Sequence, residues 1–142
     1  MAPGSTARDA RSTGWRTAPE PRRGDDNGPV EEICDITVTA DDREWLVGFV
    51  RTLVAERLVA CGNVTVTPVR SIYRWEGEIE EADEVAVVLH TRRALADRVI
   101  AHTEAAHPYD TPQVLVVPVV GAAEGYHRWV VESTGDETGD GE

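Results

Sequence analysis

Between Ile33 and Trp129 the spacing of apolar residues switches repeatedly between a period of two and a period near 3.6, which restricts the fold more than any single motif. Cys34, Ile36, Val38 and Ala40 alternate with Asp35, Thr37 and Thr39, as in a half-covered strand. Trp45, Leu46, Phe49, Val50, Leu53, Val54 and Leu58 then recur three and four apart, which predicts a helix about four turns long. Asp41 is the expected N-cap, with Glu44 three residues on, Ala40 and Trp45 as a hydrophobic staple, and Gly62 helping to stop the helix.

Alternation resumes through Val64 and Val66, crosses Pro68, and continues through Val69, Ser71, Tyr73 and Trp75. Proline donates no ladder hydrogen bond, so this long strand should be interrupted there by a bulge or lie at an edge. Glu76, Gly77 and Glu78 supply turn chemistry, and a strand apolar on both faces follows from Glu84 to Thr91. Thr91 is the expected cap of a second helix that carries Leu95, Val99, Ile100 and Thr103 inward and ends before Pro108. Val114 to Val120 reads as a strand broken by Gly121, and Tyr126, Trp129 and Val130 share one face of a short last helix. The order βαββαβ followed by α predicts an α+β fold, a ferredoxin-like sandwich with helices on one face of an antiparallel sheet and an extra C-terminal helix. Such a fold alone implies no function.

This core, residues 33–131, is expected to be flanked by solvated tails. Residues 1–32 hold four Pro, four Gly, six acids and five Arg with few apolar side chains, too little to offset the entropy of ordering. Residues 132–142 add five acids and no base. The core itself has nine Arg against fifteen Asp and Glu, a net of −6, and the chain contains no Lys. An acidic, Lys-free chain repels phosphate backbones and anionic bilayers, so neither nucleic acid nor membrane is an expected partner, whereas cations are. Two cysteines make no secreted disulfide framework, and no apolar run resembles a signal peptide or a span, so the expected compartment is the cytoplasm.

Four segments stand in register along the core: Arg57 to Cys61, Ser71 to Ile79 followed by Glu84, His107 to Pro112, and Tyr126 to Trp129. Their order and spacing resemble the CutA family, whose members are described as divalent-cation tolerance proteins. The resemblance implies a ferredoxin-like protomer assembled as a homotrimer through long hairpin strands. It also implies a binding or signalling role in the response to metal ions, and no enzyme activity. The unprotected strand from Val64 to Trp75 points the same way, because an edge of that length invites pairing. Where some relatives carry a Cys late in the first strand this chain has Val38, and where a Lys is frequent after the third strand it has His90.

Among the matched residues Cys61 and His107 carry the soft and borderline donor atoms that suit copper or another divalent cation. No cofactor is expected to be needed for folding. Tyr73, Trp75, Glu84, Tyr109 and Trp129 are the expected lining of an inter-subunit pocket, with Glu84 pairing an Arg at the subunit contact. Six carboxylates between Glu76 and Glu84 read as a solvated acidic hairpin. A PII-like small-molecule sensor is the alternative, with Arg70, Arg74, Arg92 and Arg93 as phosphate donors, and a structural trimer supporting partner proteins is another. No nucleophile elbow or phosphate loop is present in the sequence.

Overall fold

The computed structural model describes residues 31–136, so the expectation for residues 1–30 and the end of the acidic tail lies outside the described residues. Strand β1 (Ile33–Ala40) leads to helix α1 (Arg43–Ala55), then to β2 (Cys61–Val64), β3 (Val69–Trp75) and the long β4 (Glu78–Arg92). A 3-10 turn (Arg93–Leu95) enters α2 (Ala96–Ala106), followed by β5 (Val114–Pro118) and α3 (Glu124–Glu132). The antiparallel sheet runs β2-β4-β1-β5, and β3 pairs with the far half of β4.

Alternation decides which face is covered. Cys34, Ile36, Val38 and Ala40 of β1 and Val85, Val87 and Leu89 of β4 are buried, in one cluster with Leu46, Val50 and Leu53 of α1 and Val99 of α2. Asp35, Thr37 and Thr39 are only half-buried, on the opposite face. Packing of α1 against β2 is close: a Cβ added at Gly62 would stand 2.6 Å from a Val50 methyl and 3.0 Å from Leu89. Gly62 is therefore a close-approach residue inside β2, not the helix stop expected from sequence.

Helix α1 differs from expectation at both ends. Its N-cap is Asp42, whose carboxylate accepts the Trp45 N–H at 3.1 Å, one residue beyond the expected Asp41. It stops at Ala55, because Arg57 takes a left-handed φ of 61°. Arg57 N–H then donates to Val54 O at 3.0 Å and Leu58 N–H to Leu53 O at 2.9 Å, a Schellman closure with Arg where glycine is usual. Leu58 is buried just outside the helix.

The second helix also starts later than expected. Thr91 is no cap: it lies buried in β4, and its hydroxyl donates to Leu58 O at 2.7 Å, tying the strand to the chain that leaves α1. The chain beyond α3 is docked. Arg57 donates to Glu132 O at 3.0 Å and Gly135 O at 2.8 Å, and Arg92 donates to Val131 O at 2.7 Å and Thr134 O at 2.8 Å. Two guanidinium groups thus satisfy the carbonyls at the end of α3, where the helix dipole also favours positive charge. Thr134 is buried, so the packed unit extends past residue 131.

Candidate functional site

Glu84 is the one buried carboxylate among the described residues, 9% exposed, at the point where β4 passes from its core pairing to its pairing with β3. Burying a carboxylate is costly unless its oxygens are occupied. Both are: Oε1 accepts the Ser71 hydroxyl at 2.6 Å, and Oε2 accepts the Tyr109 hydroxyl at 2.7 Å. Within the protomer its partners are both hydroxyls. Burial, then the Glu84 hydrogen bond and charge, push the Tyr109 phenol well above its ordinary range.

Pro108 ends α2 and turns the chain so that Tyr109 reaches Glu84. The same turn places His107, 7% exposed, against Trp45 with ring centroids 5.0 Å apart. His107 Nε2–H donates to Thr39 O at 2.8 Å, and Nδ1 accepts the Tyr109 N–H at 3.0 Å. These partners require the neutral Nε2–H tautomer and use both ring nitrogens. No lone pair is left for a metal ion.

Cys61 stands elsewhere. Its register partner is His90, which is paired with Asp35 at the start of β1, whereas His107 bonds Thr39 near the end of that strand. Four residues of strand separate the two levels, about 13 Å. Within one protomer the expected joint site of Cys61 and His107 does not form, because the sheet register holds the two apart. Among the described residues no group of three or more His, Cys, Asp and Glu side chains stands close enough to hold a metal ion.

Within one protomer, Tyr73, Glu84 and Tyr109 of the residues expected to line an inter-subunit pocket come near one another. Tyr73 is near enough for its charge to raise the Tyr109 phenol, and it lies on the same strand as Ser71. Trp75, half-exposed, pairs with Glu78 at the hairpin tip, six residues and about 20 Å along β3 from Val69, the residue opposite Glu84. Trp129 sits on α3 against Tyr126, with ring centroids 5.5 Å apart, at the Cys61 end of the sheet. Of the four candidate phosphate donors, Arg70 binds Glu81 at 3.1 Å and Asp83 at 2.9 Å, and Arg92 holds the end of α3. The acidic hairpin is thus partly neutralised by its own strand partner.

Ser71, Thr39 and Asp35 were not singled out as site residues by sequence. Ser71 stood in a matched segment, and its place two residues from Tyr73 on one strand face was the available signal. Asp35 and His90 meet only through register, which no local pattern reveals.

Residues 34–133 match the CutA1 divalent ion tolerance protein family. The chain is 37% identical over 99 residues to the divalent-cation tolerance protein CutA of Pyrococcus horikoshii, covering 70% of this chain and 95% of that one. It is 33% identical over 99 residues to the chloroplastic protein CutA of Arabidopsis thaliana, covering 70% of this chain but only 54% of that relative, about half its length. The crystal structure of CutA1 from Oryza sativa superposes with a TM-score of 0.72 at 30% identity, over 76% of this chain and 98% of that one. That of Pyrococcus horikoshii CutA1 bearing the mutation D60A gives 0.69 at 37% identity, over 72% and 99%. By this match over residues 34–133 and these identities, the chain belongs to the CutA1 divalent ion tolerance family.

Proposed function

We propose that the chain works as a closed homotrimer, a binding and signalling protein in the response to divalent cations and not an enzyme. The observation that carries this reading is the arm formed by β3 and the first half of β4. It is two strands thick, yet it leaves Ile72 64% exposed and Ile79 66% exposed, with Tyr73 and Trp75 also open. A lone two-stranded hairpin is marginal in water, and an apolar patch of that kind marks a contact surface. The outer edges of β3 and β5 are unpaired within the protomer, so they are open to edge-to-edge joining between subunits, and a closed trimer is the form that leaves none of these edges bare. The strand order β2-β4-β1-β5 supports the ferredoxin-like description.

The Glu84–Tyr109 unit at the root of the arm then lies beside a seam between subunits. Glu84 keeps further lone pairs that can accept from a small polar ligand, whereas His107 has both ring nitrogens engaged, and neither supplies a nucleophile. Copper binding by Cys61 and His107 together forms no part of the proposal. The nucleotide-sensor alternative ranks behind because Arg70 and Arg92 are committed within the protomer. Cys34 and Cys61 are both unbridged, which fits a reducing cytoplasm.

Light scattering tests the assembly: a mass near three times 15.5 kDa is expected, falling to one protomer in an Ile72→Ser, Ile79→Ser double variant. A wild-type protein that runs as a monomer at micromolar concentration overturns the reading. Thermal-shift titrations with copper, zinc, calcium and nucleotides then identify the ligand class, since a ligand of the folded state raises Tm.

A further inference from the structure

The far end of the sheet carries a second constellation that the proposed function does not use. His90 lies between two oxygens: Nδ1 is 2.7 Å from Asp35 Oδ1, and Nε2 is 3.0 Å from Asn63 Oδ1. Asn63 Nδ2 in turn points at the Cys61 sulfur, 3.8 Å away. From α3 the Tyr126 hydroxyl comes close enough to the same sulfur to interact with it, and the Tyr126 ring stands edge-on to His90 with centroids 6.0 Å apart. Partial burial and the neighbouring Cys61 push the Tyr126 phenol up, which keeps it a donor. The groups facing His90 are thus Asp35 from β1, Cys61 and Asn63 from β2, and Tyr126 from α3.

Two proton arrangements satisfy this set. With Asn63 oriented as found, both acceptors around His90 call for a doubly protonated ring, and Asn63 and Tyr126 both aim donors at sulfur, the surroundings of a thiolate. With the Asn63 amide turned over, its nitrogen donates to His90 Nε2 and its oxygen accepts the Cys61 thiol proton, leaving a neutral ring and a neutral thiol. Passing from the second arrangement to the first moves one proton from the Cys61 sulfur to His90 Nε2 through solvent, while the amide turn re-forms the hydrogen bonds around each charge and the Asp35 carboxylate steadies the imidazolium. This is the nucleophile, base and orienting carboxylate logic of thiol chemistry, with an amide bridging nucleophile and base.

We propose that Cys61 is a reactive thiol, activated by Asp35 and His90 through Asn63, that forms mixed disulfides with small disulfides. The Cys61 thiolate attacks one sulfur of the disulfide, and the new S–S bond forms as the old one breaks. The departing thiolate leaves with the electron pair and takes up the proton held by His90. Cys61 is oxidised and the small disulfide is its oxidant, half of it released as a thiol. Cys34 is the internal contrast: it is fully buried, its S–H faces Arg92 O at 3.9 Å, and burial pushes it up. Such a thiol stays protonated and inert.

The test is the rate of Cys61 modification by iodoacetamide and by glutathione disulfide, located by peptide mass spectrometry, with Cys61→Ser confirming the assignment. At pH 7 native Cys61 is expected to react roughly five- to tenfold faster than the same cysteine in guanidinium-unfolded chain, while Cys34 stays unmodified. His90→Gln and Asp35→Asn should remove that advantage, and wild type and His90→Gln should converge at pH 10, where thiols ionise without help. Circular dichroism checks that the variants fold, and the native-to-unfolded ratio of the wild type stands without them. A native rate no higher than the unfolded one, or an unchanged rate in folded His90→Gln, overturns the proposal.

Discussion

From Val85 to Arg92, β4 runs beside β1 along its whole length, with Leu89 fully buried in the cluster that α1 and α2 complete. From Glu78 to Glu84 the same strand has one partner, β3, and no helix covers Ile79. The core half is paired on both edges, with β1 throughout and with β2 from Val87 to His90, whereas the arm half is paired with β3 alone. Apolar burial, the main favourable term in folding, differs in the same sense. The core half is covered by its own protomer; the arm half leaves Ile72 and Ile79 uncovered there, which the proposed trimer would cover, and Glu84 marks the boundary between the two.

The comparison breaks most easily at its buried end. Leu89→Ala should cost about 4 kcal/mol of stability, the lost transfer energy plus a cavity, and guanidinium titration would show it. If that loss were below 1 kcal/mol, the core half would be no better covered than the arm. Trp75→Ala sharpens the other side: half-exposed in the protomer, it would cost little if the arm stood free, but about 3 kcal/mol is expected if a neighbouring subunit covers it.

Tyr109→Phe probes the boundary and should cost about 2 kcal/mol, the worth of a hydrogen bond to a charged acceptor. It also carries a pH signature. The folded phenol titrates above its ordinary value of ~10, so above that pH the unfolded chain releases a proton that the folded one keeps. The contribution of this phenol should therefore be level below pH 10 and fall as pH rises beyond it, so that the fall is reduced in Tyr109→Phe. The smallest effect is at the tip, where Glu76 and Gly77 turn with φ of 50° and 83°. Glu76→Gly relieves a left-handed non-glycine residue and should gain about 1 kcal/mol in a thermal melt.

The same division explains what could be read from the sequence. Elements that bury a face announced themselves: β1, the inner stripe of α1 and the end of α2 before Pro108 fall where periodicity puts them. The stretch from Glu76 to Glu84 was read as a solvated acidic hairpin, which it is, but β4 was expected to begin only at Glu84, because Glu78, Glu80, Glu81 and Asp83 form a strand held by pairing with β3, without a buried side to leave a pattern. The end of α1 was misplaced because Arg57 occupies a position where glycine is the usual signal. Thr91 looked like a cap because its hydroxyl partner, Leu58 O, is 33 residues away in sequence. At the site, Glu84, Tyr109 and Tyr73 do gather, while Cys61 and His107 stay apart because pairing register, a long-range property, sets their levels on the sheet.

Amide hydrogen exchange along β3 and β4, followed at micromolar concentration and again on dilution, tests most directly whether the arm is covered in solution. Protection from Val69 to Trp75 and from Glu78 to Glu84 is expected to approach that of Val85 to Arg92 and to fall on dilution as subunits part. Arm amides that exchange as fast as an unfolded chain at every concentration, beside a protected core half, would contradict it.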